Sequence, residues 1–426
     1  MKKVLALVFV FCAAAAFGQE YFSRFNPSAE ITLEQAIRLG LENNTQLLAA
    51  RQSVNIAQYR VSESSMTRFP QFDVLATATA YDLDSVTVLP EAMGLRVLYP
   101  QNGRSSNYYG AGVSAVQYLY SGGRISGGIK MSKAGLKEEQ SKYETEKNAV
   151  ILKVKLAFYN FLYASKYLEL AEKTFDTAQT YAKKTSAKKS WERVSSAAAL
   201  EDFRAEASNA RHQYRLAYRD MLESINKELN AEVKIKGDFK PFVLDADAGK
   251  LTLRAMQFRP ELQAARYEVE MYNLAANISL GQKYPDVILG ASFEKVGEEN
   301  LDNTNKQISL AVRLPLSYGY FTQPKQKKAQ QKQSALRRAD LEDTIRQQVL
   351  TYFDGLTFWQ GEVKEREAAA ETLGKEIKKS EASGAFGADS LTALAAYRRA
   401  QASYLEAVKE NLLSRAQLEW AVGQDL

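Results

Sequence analysis

Gln46-Leu47-Leu48-Ala49-Ala50-Arg51 recurs in this chain as Glu261-Leu262-Gln263-Ala264-Ala265-Arg266, and Phe69-Pro70 recurs as Tyr284-Pro285. Both markers are displaced by the same 215 positions, from 46 to 261 and from 70 to 285. Self-similarity at one fixed offset marks a repeated structural unit. After each proline come two runs of alternating residues and then a very long polar stretch with helical periodicity. The expectation is two copies of one unit, residues 19–240 and 241–426. Each holds a helix, a strand pair (about 71–120 and about 286–317) and a long helical hairpin.

The alternating runs decide the compartment. Ile308, Leu310, Val312, Leu314 and Leu316 alternate with Ser309, Ala311, Arg313 and Pro315. That is period two with one strongly apolar face. Val287, Leu289, Ala291 and Phe293 alternate with Ile288, Gly290, Ser292 and Glu294. Phe72 to Asp82 alternates less cleanly, and Gly110 to Tyr120 places Ala111, Val113, Ala115 and Leu119 on one face. A tilted strand needs about ten residues to cross a bilayer, and each run has that length. Tyr81, Tyr108, Tyr109, Tyr118, Tyr120, Tyr284, Tyr318 and Tyr320 gather near the run ends, as aromatic girdles would. Val287, Leu289, Ile308, Leu310, Val312 and Leu314 are the candidate lipid-facing residues. The alternative is a soluble β-layer packed on helices.

Four strands cannot close a barrel. In lipid an open sheet edge leaves backbone groups unsatisfied, at several kcal/mol each. Membrane-crossing strands of this chain must therefore be pooled with those of other copies. The argument demands an oligomer without fixing its number.

The helical stretches are exceptionally long. No proline interrupts Arg124 to about Lys189, or Lys325 to about Ser383. At 1.5 Å per residue each could reach roughly 90 Å. Val150, Val154, Ala157, Phe161, Ala164, Leu168, Ala171 and Phe175 step by three and four, as do Leu341, Ile345, Val349, Tyr352, Leu356, Trp359 and Val363. Such steps predict packed helices of coiled-coil type. The second hairpin turns at Ser383-Gly384-Ala385-Phe386-Gly387. A further helix begins near Asp389 or Ser390, either a plausible N-cap, and runs to about Val422. In the first unit the turn is placed within 186–196.

Composition narrows the functions. The 426 residues include one Cys and one His. A disulfide scaffold, a typical zinc site or a cofactor held by such ligands has too few residues to build it. Mean hydropathy is −0.35, and no apolar run of about 20 residues follows the N-terminus, which argues against a bundle of membrane-spanning helices. Met1-Lys2-Lys3, the apolar Val4 to Ala16 and small Ala16 and Gly18 read as a signal peptide over residues 1–18. Cys12 would leave with it. Without Lys2 and Lys3 the net charge falls from +6 to +4, and the remaining basic residues interleave with acids along the helices. That is a solvated-face pattern, with no basic stripe for nucleic acid. His212 reads as an ordinary helix residue, and adjacent Glu201-Asp202 do not face each other as an acid/base pair would. Gly122-Gly123 and Gly127-Gly128 lack the Gly-Lys-Ser/Thr of a phosphate loop; the first pair lets the chain swing from strand into helix.

The motifs in this order resemble the outer membrane efflux protein family, the TolC-like channels. Ile31-Thr32-Leu33-Glu34-Gln35-Ala36-Ile37, Leu41-Glu42-Asn43-Asn44 and Ala49-Ala50-Arg51 are similar to its opening helices. Tyr118-Leu119-Tyr120-Ser121-Gly122-Gly123-Arg124 resembles its strand-to-helix junction, with Leu314-Pro315-Leu316-Ser317-Tyr318-Gly319 as counterpart. Gly387, Ser390, Leu391, Leu394 and Ala396-Tyr397-Arg398 resemble its distal turn. The resemblance implies a mainly α fold with transmembrane β: four strands per chain in a 12-stranded trimeric barrel, and helices forming a periplasmic tunnel. It implies an outer membrane exit duct of a tripartite efflux or type I secretion system, a passive conduit served by a periplasmic adaptor and an inner-membrane pump. No enzymatic activity and no cofactor are implied. Gly384, Gly387, Asp389, Ser390 and Leu391 become the adaptor-docking or tunnel-entrance turn. Pro70, Gly122, Gly123, Pro285, Pro315 and Gly319 become barrel-to-helix junctions. Two departures stand out: Ala393 and Ala396 occupy positions where the family often carries acids, and the first unit lacks a turn glycine, having Lys188-Lys189-Ser190-Trp191. The alternative function is a periplasmic coiled-coil structural protein without channel activity.

On a lipid-facing position near mid-bilayer, Leu310→Arg should cost about 2–4 kcal/mol and impair assembly. Immunoblotting of outer-membrane fractions checks this; wild-type levels of the variant would contradict the assigned facing.

Overall fold

The computed structural model describes residues 30–82, 87–91, 94–98, 105–184, 190–228, 233–297, 300–314, 319–382 and 388–426. The signal-peptide reading, Cys12, Gly384, Gly387 and Pro315 lie outside the described residues. In chain order the elements are β1 (Glu30–Ile31), α1 (Leu33–Asn43), α2 (Thr45–Met66), β2 (Gln71–Asp82), β3 (Thr87–Glu91), β4 (Gly94–Leu98), β5 (Ser105–Tyr120), α3 (Arg124–Lys184) and α4 (Ser190–Ser224). There follow β6 (Lys234–Ile235), α5 (Ala248–Phe258), α6 (Pro260–Gly281), β7 (Asp286–Gly297), β8 (Asn303–Arg313), α7 (Gly319–Ala382) and α8 (Ala388–Val422).

Local chemistry sets the short helices. Thr32 and Gln35 form a capping box at α1: the Gln35 amide donates to Thr32 Oγ1 (3.4 Å), and the Thr32 amide to Gln35 Oε1 (3.0 Å). Asn44 ends α1 in extended backbone and caps α2, its Oδ1 accepting from the Leu47 amide at 3.0 Å. Pro260 at N1 opens α6, where its missing amide proton costs no helical bond.

One antiparallel sheet runs β2-β5-β7-β8. Beneath it, α2 packs on α3, α3 on α6 and α6 on α7, so the helix order repeats the strand order. The chain rises through α2 into β2 and descends through β5 into α3. It rises again through α6 into β7 and descends through β8 into α7. At the far end α4 folds back on α3, and α8 on α7, with α3 also touching α8. The long helices have 61 and 64 residues, about 90 Å or more each at 1.5 Å per residue.

The core lies among the helices. Ile31, Phe158, Leu162, Met221, Leu222, Ile225, Val363 and Val408 form one buried cluster; Leu251, Leu262, Ile345, Val349, Leu356 and Leu418 form a second. The three-four stripe read from the sequence is this core: Val154, Ile345 and Val349 are fully buried. Lys155 is buried beside Tyr159 and donates to Glu419 and Asp425, each at 2.7 Å, while Arg415 Nε donates to Glu419 at 2.8 Å. Burial alone would lower the Lys155 ammonium, but its hydrogen bonds to Asp425 and Glu419 outweigh this and hold it above its ordinary value. The network ties the chain's last residues to the middle of α3.

Several boundaries differ from the sequence reading. The second long helix starts at Gly319 and not after Pro324: the proline lies inside the helix, in its second turn, where the Tyr320 carbonyl goes without its usual i+4 amide donor. Ser190 to Ser196 is helix, so this part of the 186–196 placement is not turn; the rest of it lies outside the described residues. Asp389 is not the N-cap of α8; it lies one residue inside, where its charge complements the helix dipole. Strand β8 ends at Arg313, so Leu314 follows it rather than belonging to it. Leu119 falls where the β5–β7 register shifts between Tyr118 and Tyr120, and Tyr120 takes the pairing with Val287. Two features were not anticipated: the hairpin β3–β4 between β2 and β5, and the parallel pair β1–β6.

Lys155→Ala should destabilise the folded chain by about 3 kcal/mol, since it leaves a buried carboxylate short of one partner while Arg415 remains. Denaturant unfolding of the purified protein measures this. Because the ammonium is raised, its stabilisation is fully present below the ordinary lysine range near pH 10.4 and is lost only as the pH rises through and above it.

Candidate functional site

The sheet has two unlike faces, and the registers show that each is continuous. Phe72 pairs with Ala115, Ala115 with Ala291, and Ala291 with Ile308; Val74, Val113 and Phe293 lie one step along. Leu289 stands opposite Leu310, and Val287 opposite Val312. Directly paired residues share a face. Val287, Leu289, Ile308, Leu310 and Val312 thus join Phe72, Val74, Val113 and Ala115 in one apolar surface crossing all four strands. It is open: Val74 is 80% exposed and Ile308 83%. Leu314, just past the strand, is exposed as well. The opposite face carries Asp73, Thr77, Gly112, Ser114, Gly290, Ser292, Glu294, Gln307 and Ser309. An exposed apolar face of this size marks a surface meant for lipid or protein. Within the chain, β2 and β8 each pair on one side only.

The strand-to-helix junctions are built on close backbone approach. Gly122 has φ +60° and Gly123 φ +78°, in the left-handed region that glycine enters without penalty. A Cβ on Gly122 would stand 2.3 Å from the Gly281 carbonyl oxygen and 2.9 Å from Tyr284 Cβ. A Cβ on Gly281 would stand 2.6 Å from the Gly122 oxygen. The end of β5 and the end of α6 therefore meet glycine to glycine. Arg124, in the first turn of α3, clamps this meeting by an ion pair with the buried Asp286 at the start of β7, and its Nε donates to the Ser121 carbonyl at 3.0 Å. Pro70 and Pro285 immediately precede β2 and β7, and Gly319 opens α7. A cleft of about 600 Å³ lies under the junction, lined by Ser64, Ser121, Arg124, Asp286, Arg313 and Tyr320 among others.

At the distal end α3, α4 and α8 close over Ala178, Tyr181, Phe203, Leu391 and Leu394, with Arg398 over the Phe203 ring. Leu391 is buried there, Ser390 is half-buried and Asp389 exposed. Tyr181 Oη donates to Glu381 Oε1 at 2.6 Å, joining the end of α3 to the end of α7. Burial, then this hydrogen bond and the carboxylate's charge, push the Tyr181 phenol well above its ordinary range. The bond joins residues 200 positions apart, and no local sequence pattern announces it. Of the residues assigned to the turn, Leu391 packs into the core, while Asp389 remains at the surface.

Among the described residues no group of three or more His, Cys, Asp or Glu could hold a metal ion, and no helix is long and apolar enough to cross a membrane. His212 is exposed on α4.

Comparisons with known proteins follow the same lines. A family model described as outer membrane efflux protein matches residues 36–227. The chain superposes on the open state of the Neisseria gonorrhoeae MtrE outer membrane channel with TM-score 0.77 and 17% identity, over 92% of this chain and 89% of that one. The Campylobacter jejuni CmeC outer membrane channel gives 0.77 and 14%, over 96% and 90%. The outer membrane protein VceC of Vibrio cholerae gives 0.77 and 14%, over 92% and 96%. At such identities the shared property is the fold. Among curated proteins, none matches this sequence. The resemblance read from the sequence is borne out.

Gly122→Ala should cost at least about 2 kcal/mol, combining left-handed strain with a clash against backbone, whereas Gly123→Ala, with no atom within 4 Å of the added Cβ, should cost only about 1 kcal/mol of conformational strain. Unfolding of the detergent-solubilised variants separates the two. Equal costs would show that the glycine contact does not constrain the junction.

Proposed function

We propose that the chain belongs to the outer membrane efflux protein family, whose model matches residues 36–227, and that it is the outer membrane exit duct of a tripartite efflux or type I secretion system. Three copies pool their four-stranded sheets into a 12-stranded barrel, and their helices form a tunnel through the periplasm. The chain is made of two repeats, 19–240 and 241–426, preceded by a signal peptide over 1–18 that directs export. It catalyses no reaction: transport energy comes from an inner-membrane pump, coupled through a periplasmic adaptor that docks at the distal turns, with Gly384, Gly387, Asp389 and Ser390 at the contact and the buried Leu391 packed behind them.

The observation that carries this reading is the exposed apolar face running unbroken across β2, β5, β7 and β8. Water penalises such a face by roughly 25 cal/mol per Å². A bilayer removes the penalty but leaves the free edges of β2 and β8 with unpaired backbone groups. Pairing β8 of one copy with β2 of the next removes that cost too. The long helices then hang from the barrel as its continuation. On this reading Pro70, Gly122, Gly123, Pro285, Pro315 and Gly319 belong to the junctions between barrel and helices.

The polar face supplies a wettable lumen, and the distal hairpins supply a gate that opens by splaying. The Tyr181–Glu381 bond holds α3 to α7 near that opening. The raised phenol keeps its proton, so the bond is intact below the ordinary tyrosine range near pH 10 and is lost as pH climbs above it.

Two measurements test the proposal together. The native protein is expected in outer-membrane fractions as a detergent-soluble particle of three chains, and a deletion strain is expected to gain sensitivity to toxic compounds that the wild type exports. A chain that stays soluble without detergent and sediments as a monomer would contradict the channel and favour a periplasmic coiled-coil protein. Tyr181→Phe is expected to raise single-channel conductance in planar bilayers at neutral pH while leaving assembly intact.

A further inference from the structure

The apolar face of the sheet does not stay apolar to its end. On β8 the first residue beyond Ile308 on that face is Lys306, and on β7 the first beyond Phe293 is Lys295. Both lysines are exposed, on the side of the sheet away from the helices. Lys306 stands directly opposite Phe293, with its Nζ 5.9 Å from the ring centroid, and Lys295 stands opposite Thr304 and Ala111. The two lysines are therefore diagonal neighbours on one face of an antiparallel pair, a separation of roughly 7–8 Å.

Two like charges at that spacing repel, and neither has an ion-pair partner among the described residues. The carboxylate nearest in sequence, Glu294, belongs to the opposite face, where it accepts from Asn305 Nδ2 at 2.8 Å. At the lysines' level this face carries Ala76 on β2 and Ala111 on β5, with Tyr109 one step further out on β5. The surface is thus an apolar band, then Phe293 and Lys306 side by side, then Lys295, with Tyr109 one step beyond it. Lysine stems lie along apolar surface while their ammonium groups reach polar headgroups. The connection between the strands is acidic in sequence (Glu298, Glu299 and Asp302).

We propose that Lys295 and Lys306 form a binding site for the phosphate groups of a phosphorylated outer-leaflet lipid, with Phe293 seating its acyl–headgroup boundary. The proposal rests on the membrane-crossing reading above. A bridging phosphate would relieve the repulsion between the ammonium groups and form charge-assisted hydrogen bonds with both. In the closed barrel the site would recur once per copy at the outer rim, and would fix the barrel's depth in the bilayer.

The test uses the assembled channel purified from outer membranes in dodecyl maltoside, with native mass spectrometry as readout. The probes are bisphosphorylated lipid A, its dephosphorylated form and inorganic phosphate. Lys295→Gln with Lys306→Gln is expected to weaken binding of the bisphosphorylated lipid by about 30-fold, each lysine being worth about fivefold near an anionic surface. Lys295→Arg with Lys306→Arg is expected to retain it. The dephosphorylated lipid should bind wild type and the glutamine variant alike, and free phosphate should not displace the bound lipid. Equal binding of the bisphosphorylated lipid to wild type and the glutamine variant overturns the site. Displacement by inorganic phosphate at lipid-equivalent concentration overturns the assignment to a lipid. Absence of the wild-type protein from the outer membrane would instead sink the membrane reading, and localisation is scored separately. The glutamine variant's recovery from outer membranes in normal yield excludes misfolding as the cause of lost binding.

Discussion

A β-sheet with two free edges and one bare apolar face is the constraint on which the rest of this molecule depends. Each strand satisfies its backbone groups only where a neighbour lies beside it, and β2 and β8 have a neighbour on one side only. The face formed by Phe72, Val74, Leu289, Ile308, Leu310 and Val312 finds no cover within the chain. Among the described residues no helix lies across it; the helices instead continue the strands end to end, in the same lateral order. On the proposed reading the protomer is a wall segment, and pairing with other copies of itself closes the surface.

That arrangement makes the strand-to-helix junction the most demanding place in the fold. Direction must change while four strands hand over to four helices of greater width. The contact of Gly122 with Gly281 lets two of these transitions come within backbone distance, and the Arg124–Asp286 pair fastens them. Two kinds of stability meet there. Above, backbone hydrogen bonds hold a sheet with little side-chain core of its own. Below, the helices hold the buried clusters around Phe158 and Leu356 and the Lys155–Glu419 network. The distal helices depend on a smaller cluster and on polar ties such as Tyr181–Glu381. An end stabilised in this way can open at less cost than the middle.

Much of this was legible in the sequence because the two relevant periods are strong. Period two over residues 308–314 gave the facing of β8, and the three-four stripe over residues 341–363 gave the buried line of α7. The glycine pair at 122 and 123 was recognised from its place between a strand and a helix. What escaped has physical reasons. The bulge at Tyr118–Tyr120 shifts register without any change in composition. The start of α7 lies one turn before Pro324, a residue that sequence alone reads as a boundary. The hairpin β3–β4 is too short for its alternation to stand out within a long connection. Pairings such as Arg124 with Asp286 and Tyr181 with Glu381 join residues 162 and 200 positions apart, and no local pattern announces them. The position of Gly281 opposite Gly122 was likewise invisible until the fold brought two halves together.

Closure by edge pairing is the claim that everything else serves, and it can be tested directly. The chain's only cysteine is Cys12, so a single cysteine at Ala76 on β2 combined with a scan of cysteines along β8 provides a clean pair of probes. Oxidised in native outer membranes and separated by denaturing electrophoresis, chains with edges in register should give a covalent ladder that stops at three copies. Chains that remain single at every β8 position would show that β2 and β8 do not meet between copies, and would contradict the account.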